Sequence, residues 1–542
     1  MAQLRTETVQ YELVFNKTTI GRGRLTDIRI ADPGEPPVHC TIAATGENTY
    51  ELRNLSPNGT ILNGRLLTGS AELRDGDVFY AGSTRFIFAA VGAAQQRAVP
   101  KPGVVSGAMN LLVGTFVSRI LGFLREAIVG YYFGLSAAAD AFFVASTIPN
   151  LFRGILGEQA LESAFMPTFQ SYLAHGKEKD AWRIAATVFN AVLIALVVLS
   201  ILTAIFTPQL MYVMAPGFRL KSDTKTFHLA VKLALIMTPF MVFIGLAAFL
   251  GSVLLALRKF TLYSIAPSCF SIGAILGIVF LHRSLWIYSA AVGLVVGGLL
   301  EFVVQIPGVP FRRGGVFQRV LDHTHPGARR VLAISIPIWL AAAVGRVSTI
   351  VDRALATLLP NVGSVAALNY SFRLIQLPQA IVGLAIGRAA YPALVESNAL
   401  RQRDKFQAAL NKGIRLNFLL VVPITVITIV CSDWIVKLVY QRGAFTAGDT
   451  KMTAIALSYY AVGLLGMTLS SVFYRAFYAI LDARTPLKVT ILAALLGMSL
   501  KWCLMHTPLQ HAGLALSTSV SSLYEALLLY LILAKRMKET EG

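Results

Sequence analysis

From residue 106 onward, apolar runs of about twenty residues follow one another, each long enough to cross a bilayer as a helix. The first two are not purely apolar. The stretch SRILGFLREAIVGYYFGLSAAADAFFVASTIPNLFRGILGEQALESAF, residues 118–165, threads Arg119, Arg125, Glu126, Asp140, Arg153, Glu158 and Glu162 through otherwise apolar sequence. An ionisable side chain at the bilayer centre costs roughly 2.5–3.5 kcal/mol even on lenient scales, so it is kept where it faces a partner or a wet cavity. The chain is therefore expected to fold as membrane helices around a polar interior space.

Composition agrees. Of 542 residues, 55% are hydrophobic and 14% charged, the balance of a polytopic membrane protein rather than a soluble enzyme. The net charge of +20 does not signal nucleic acid, because the basic residues gather in short loops between apolar runs, where they set topology. Four scattered cysteines (Cys40, Cys269, Cys431, Cys503) have neither metal-ligand nor disulfide-framework spacing. The N-terminal residues lack the charged start and apolar core of a signal peptide, which predicts a cytosolic N-terminus.

Residues 1–92 read differently. Short alternating runs are separated by the turn signals Asn58-Gly59, Asn63-Gly64 and Asp75-Gly76, the pattern of a small β-sandwich. Residues 93–105, proline-bearing and without periodicity, read as a linker. About twelve spans follow by apolar length, near 106–135, 138–173, 184–208, 227–256, 262–281, 286–306, 331–359, 364–397, 413–433, 452–480, 487–505 and 512–534. With the N-terminus inside, the cytosolic loops are the basic ones (Arg258 and Lys259; Arg312, Arg313, Arg329 and Arg330; Lys535 and Arg536), which also places the C-terminus inside. The basic loop 307–330 divides the spans into bundles of six, 106–306 and 331–542. Aligning the bundles sets Arg119 against Arg346 and Ala127 against Ala354, a weak internal repeat that suggests a central site between them. The predicted fold class is thus an all-α polytopic membrane protein of two six-helix bundles, preceded by a small all-β sandwich.

Arginine dominates the charges within the spans. Arg119 and Glu126 lie seven apart on one face of the first helix; Arg346 and Arg353 share a face in the seventh, with Asp352 beside the second; Arg373 precedes Pro378 by just over one turn. Several guanidinium groups around one wet space suit a phosphate-bearing ligand, since Arg offers rigid forked donors and stays charged. The competing reading bolts helices together with ion pairs. It is favoured for Arg125, Glu126, Asp352 and Arg353, which have opposite charges nearby, while Arg119, Arg153 and Arg373 are expected to await an external anion. No catalytic arrangement of His, Ser or Cys, no Walker-type loop and no HExxH is present, so a transporter is expected rather than an enzyme, with no cofactor beyond coupling to membrane potential or a counter-ion.

Two resemblances sharpen this reading. Gly21-Arg22, His39, Ser56-Pro57-Asn58-Gly59-Thr60, Asn63-Gly64 and Asp75-Gly76-Asp77 resemble a forkhead-associated (FHA) domain. The resemblance implies a phosphothreonine site and a phosphoprotein partner, with Arg22 and Asn58 matching the family's ligand-binding positions. Pro36 stands at the family's Ser position, followed by Pro37, and Pro57 stands at its Thr position. None of the three has a backbone donor or hydroxyl to give a phosphate, so a sandwich kept for protein contacts without phosphate remains open beside phosphopeptide binding.

Downstream, the quoted 118–165 stretch, APGF at 215–218, NYSFRLIQLP at 369–378, YQRGAFTAGDT at 440–450, RAFYAILDARTPLK at 475–488 and HAGLALS at 511–517 resemble the MurJ (MviN) lipid II flippases. That resemblance implies a lipid-linked oligosaccharide flippase of the bacterial plasma membrane, carrying undecaprenyl-pyrophosphate-linked peptidoglycan precursor by alternating access. It places pyrophosphate-binding arginines at Arg119, Arg125, Arg153 and Arg373, and cavity or gating residues at Glu126, Asp140, Glu158 and Ser364. Gln376 stands where members carry Glu. Members typically end with two further helices lining a groove for the lipid tail, so here the tail is expected to lie against bundle surface or a partner. The alternatives are an exporter of another polyprenyl-linked glycan, or a non-transporting FHA-bearing scaffold for cell-wall synthesis.

Overall fold

The computed structural model describes the chain apart from residues 1, 7–9, 14–16, 24–25, 31, 33–35, 47–48, 58, 91–102, 157, 175, 222, 311–314, 319, 323, 400–401, 481, 483 and 540–542; within helices, side chains including those of 103–109, 153–164 and 384–392 also lie outside the description. The chain divides into two compact units, residues 1–106 and 107–542.

Among the described residues of the first unit, eleven short strands form two sheets. They are β1 (Ala2–Arg5), β2 (Gln10–Leu13), β3 (Lys17–Gly21), β4 (Ile28–Arg29), β5 (Cys40–Gly46), β6 (Thr49–Asn54), β7 (Thr60–Leu62), β8 (Arg65–Leu67), β9 (Ser70–Leu73), β10 (Val78–Ala81) and β11 (Thr84–Ala90). One sheet runs β2-β1-β11-β10-β7-β8 and the other β4-β3-β5-β6-β9. Their inward residues, Leu4, Ile20, Cys40, Leu52, Phe79, Phe86 and Phe88, are buried as one core. The β7–β8 hairpin turns at Asn63-Gly64 with both φ positive, at 49° and 79°, as the Asn-Gly signal requires.

The second unit is helical. Its first half holds α1 (Gly103–Phe133), α2 (Ala137–Leu156), α3 (Glu158–Ala174), α4 (Glu178–Met214), the five-residue α5 (Pro216–Leu220), α6 (Thr224–Ala256), α7 (Phe260–Leu285) and α8 (Tyr288–Gln305). The second half holds α9 (Pro326–Leu358), α10 (Ser364–Ala399), α11 (Arg403–Val430), the short α12 (Ser432–Tyr440), α13 (Ala447–Ala479), α14 (Arg484–Leu504) and α15 (Gln510–Glu539). Among the described residues, eight helices are long and apolar enough to cross a membrane. α1, α9 and α10, at 31, 33 and 36 residues, also exceed a bilayer's span. The span expected over 138–173 is helical on both sides of residue 157, as α2 and α3. Pro149 lies inside α2 and does not end it.

Small residues let the helices approach. A Cβ on Gly277 would come within 2.4 Å of the Gly293 backbone, and one on Gly273 within 2.8 Å of Gly297, so α7 and α8 cross on two facing small-xxx-small pairs. In the other half, Gly463 and Gly466 of α13 meet Ser519 and Ser522 of α15 in the same way. Outward side chains such as Ile201, Ile205, Leu419 and Val430 are exposed, as a lipid-facing surface demands.

The turn from α13 to α14 is fixed by one carboxylate. Asp482 accepts from the backbone N–H groups of Arg484 and Thr485 at 3.0 Å each and from the Thr485 hydroxyl at 2.6 Å, and it pairs with Arg536 of α15 at 2.6 Å. Desolvation pushes its carboxyl up, but the Thr485 bonds and the Arg536 charge outweigh it and hold the group down to about 2. A depressed carboxyl contributes stability above its unfolded value near 4 and loses it as pH falls through its folded value. Asp482→Asn is therefore expected to cost about 1 kcal/mol at pH 7, a deficit that shrinks between pH 4 and pH 2; thermal unfolding of both proteins across that range checks it.

Candidate functional site

The two halves of the helical unit enclose a cavity of about 630 Å³, lined from α1, α2, α7, α8, α9, α10, α13, α14 and α15. At its centre stands Glu126, whose side chain is 8% exposed. Arg125 donates to its Oε1 at 3.0 Å, and Arg373 of α10 reaches the same oxygen at 3.6 Å, bridging the halves. Arg125 also lies 4.9 Å over the Phe270 ring of α7, a cation–π contact that fixes a guanidinium helical spacing alone would point away. Arg373 donates to Gln376 Oε1 at 3.0 Å. Arg353 of α9 donates to Asn369 Oδ1 at 2.7 Å and lines the same space.

Lys501 of α14 is buried and contacts Asp352 Oδ1 at 2.5 Å. This corrects the sequence pairing of Asp352 with Arg353: on a helix, adjacent residues diverge by about 100°, so each finds its partner on another helix. Arg373, expected to await an external anion, also contacts Glu126 at 3.6 Å while remaining 43% exposed. Lys501 was missed because a lone lysine near a helix end reads as a snorkelling side chain; its position inside the apolar run of 484–504 was the available signal. Among the described residues the cavity wall holds five cations (Arg125, Arg346, Arg353, Arg373, Lys501) and two carboxylates (Glu126, Asp352), a net of +3.

Arg119 is not in this cavity. It is exposed and lines a neighbouring space of about 570 Å³ between α1, α7, α10 and α13, which shares Arg125, Phe270, Arg373 and Gln376 with the main cavity. The side chains of Arg153 and Glu158 lie outside the described residues. Among the described residues, no cluster of His, Cys, Asp or Glu suits a metal ion.

Asp140 and Ser364 stand elsewhere, in a seam that closes one end of the cavity. Buried Asp140 accepts from the backbone N–H groups of Gly363 at 2.7 Å and Ala366 at 2.8 Å, so a carboxylate from the first half caps α10 of the second. Ser364 is buried at the same α10 terminus and donates to Asn361 O at 2.7 Å. The Gly217 N–H donates to Thr357 Oγ1 at 3.1 Å, and Lys221 donates to the Thr357 and Leu359 carbonyls. Ala444 N donates to Tyr131 O at 2.7 Å, where Gly443 (φ 61°) would place a Cβ 2.4 Å from that same carbonyl. The YQRGAF run supplies Tyr440 and Phe445, which pack on Tyr370 at 4.9 and 5.7 Å between ring centres, with Phe143 edge-on at 5.2 Å.

In the β unit, Arg22 is exposed. Its loop is tied to the prolines: Arg22 N and Gly23 N donate to the Pro36 and Pro37 carbonyls at 3.4 and 2.9 Å. Asn58 lies outside the described residues.

Two helical halves closing on a charged cavity define a transporter fold. An inward-facing MATE-family multidrug transporter of the MOP superfamily matches with a TM-score of 0.65 at 15% identity, covering 80% of this chain and 99% of that one. A lipid II flippase MurJ in an inward closed conformation matches with a TM-score of 0.67 at 28% identity, covering 78% and 87%. The lipid II flippase MurJ family profile matches residues 129–542, and the FHA-domain profile residues 18–82. Among relatives, the lipid II flippase MurJ of Burkholderia cenocepacia is 33% identical over 78% of this chain and 82% of its own length, and the probable lipid II flippase MurJ of Rickettsia prowazekii 31% over 78% and 82%. The chain belongs to the lipid II flippase MurJ family and carries an N-terminal FHA domain.

Proposed function

We propose that this protein translocates lipid II across the bacterial plasma membrane, and that Arg125, Arg353 and Arg373 around Glu126 hold its pyrophosphate. The observation that carries the site assignment is the cavity's net charge of +3 in a membrane-embedded unit, which favours a multiply anionic ligand and disfavours the cationic drugs an acidic cavity would take. Forked guanidinium donors match phosphate oxygens two at a time. Arg119, in the adjoining space beside Phe123, Leu377 and Met467, is assigned the first contact with an arriving pyrophosphate whose polyprenyl tail stays in lipid.

The basic-loop asymmetry supports placing both termini in the cytosol, on which the seam of Asp140, Lys221 and Tyr131 faces outward and the cavity opens inward. An anion that draws Arg373 from Glu126 weakens an ion pair that bridges the halves, and so biases the halves toward rearrangement. Membrane potential or a counter-ion resets the empty carrier. We assign the FHA domain a protein partner, phosphorylated if Arg22 engages phosphate despite the neighbouring prolines. Expression in a bacterium depleted of its own flippase tests the substrate: restored growth at normal membrane levels is expected, and lysis at those levels would count against lipid II.

A further inference from the structure

The charged residues of α1 and α9 repeat with their signs exchanged. α1 carries Arg119, then Arg125 and Glu126 six and seven residues on; α9 carries Arg346, then Asp352 and Arg353 at the same offsets. The later members of each set are neutralised or hydrogen-bonded: Arg125 by Glu126, Asp352 by Lys501, and Arg353 by Asn369. The first members are not. Arg119 and Arg346 are both exposed, and neither has a hydrogen bond or ion pair among the described residues. Their surroundings differ. Arg119 lies beside apolar Phe123, Leu377 and Met467 in the adjoining space, whereas Arg346 looks into the main cavity beside Thr349 and Thr518.

Charge arithmetic gives Arg346 a ligand. Arg125, Arg353 and Arg373 less Glu126 sum to +2, which matches the two negative charges of a pyrophosphate diester. The Lys501–Asp352 pair sums to zero. Among the described wall residues, Arg346 makes up the rest of the +3. It stands seven residues before Arg353 on the same helix face, about 10 Å away along the axis, too far to share the phosphate oxygens Arg353 binds.

We infer that Arg346 forms a second anion subsite, which takes a carboxylate on the peptide portion of the translocated headgroup while the arginines around Glu126 hold its pyrophosphate. The inference rests on the lipid II reading above, and it adds a residue that distinguishes a peptide-bearing headgroup from a bare or purely sugar-bearing pyrophosphate. Thr349 and Thr518 line the same cavity, the Thr518 hydroxyl donating to Leu514 O at 3.2 Å.

The test measures binding of three lipids to the purified full-length protein in nanodiscs: lipid II, lipid II with its peptide carboxylates converted to amides, and undecaprenyl pyrophosphate. The intact protein is expected to bind lipid II roughly tenfold more tightly than its amidated form. Arg346→Gln removes that preference while changing undecaprenyl pyrophosphate affinity by no more than about twofold, and Arg346→Lys restores part of it. A preference that survives in Arg346→Gln, or an equal loss for all three lipids, overturns the subsite and leaves the lipid II reading standing. Failure of the intact protein to bind lipid II or undecaprenyl pyrophosphate overturns both.

Discussion

Asp140→Ala is expected to open the end of the cavity that we assign to the outward side. Two buried N–H groups, of Gly363 and Ala366, lose their carboxyl acceptor, and a buried donor left unsatisfied costs about 1–3 kcal/mol. A loss of roughly 3 kcal/mol to the closed arrangement alone shifts the balance between closed and open forms by about two orders of magnitude. Both bonds join one half of the unit to the other, so the cost falls on closure rather than on the folding of either half. A single cysteine at buried Val365, in a background freed of native cysteines, reports the change through an impermeant maleimide added outside. Labelling is expected to be slow with Asp140 present and at least tenfold faster in Asp140→Ala. Equal rates would mean that the contact is ornamental and that Lys221 and the Tyr131–Ala444 bond close the seam.

Glu126→Ala is expected to be the most damaging truncation inside the cavity. It takes from Arg125, 14% exposed, and Arg373, 43% exposed, the carboxylate oxygen that both contact, and it raises the net charge of the described wall residues from +3 to +4. Removing one partner of a buried ion pair costs about 3–5 kcal/mol because the other charge is left without compensation; the wet face of Arg373 places this case at the lower end. The signature is coupling. Adding Arg373→Ala to Glu126→Ala should recover a substantial part of the lost thermal stability, because it removes the stranded charge, whereas independent sites would simply add. Additive losses would show that Glu126 contributes by packing and not by charge.

The sequence carried the architecture well because its signals are local. Apolar length marks a span wherever it occurs, and Asn63-Gly64 dictates a hairpin turn by itself. Of the site, the residue types were visible and their partners were not. Arg119, Arg125 and Glu126 lie within eight residues, yet the fold sends Arg119 to a neighbouring space and draws Arg125 back over Phe270, a ring contributed from α7. The Lys501–Asp352 contact joins residues 149 apart, and Asp140 caps a helix whose first residue lies 224 positions later, at Ser364. Spacing along one chain segment cannot encode such pairings; only the packing of the two halves brings them together. The YQRGAF run reads as a family motif in the sequence and becomes a mechanical part in the structure, its Gly443 admitting the Tyr131 carbonyl and its Tyr440 and Phe445 filling the seam.

The central claim is that a cationic cavity moves lipid II, and the most direct measurement is translocation of labelled lipid II in vesicles reconstituted with the full-length protein, set beside Arg373→Ala at equal incorporation. The account predicts movement with the intact protein and a loss of at least a hundredfold in the variant, since Arg373 is the cavity cation that bridges both halves through Glu126. Equal rates in the two would contradict it and remove the arginine cavity from the transport path.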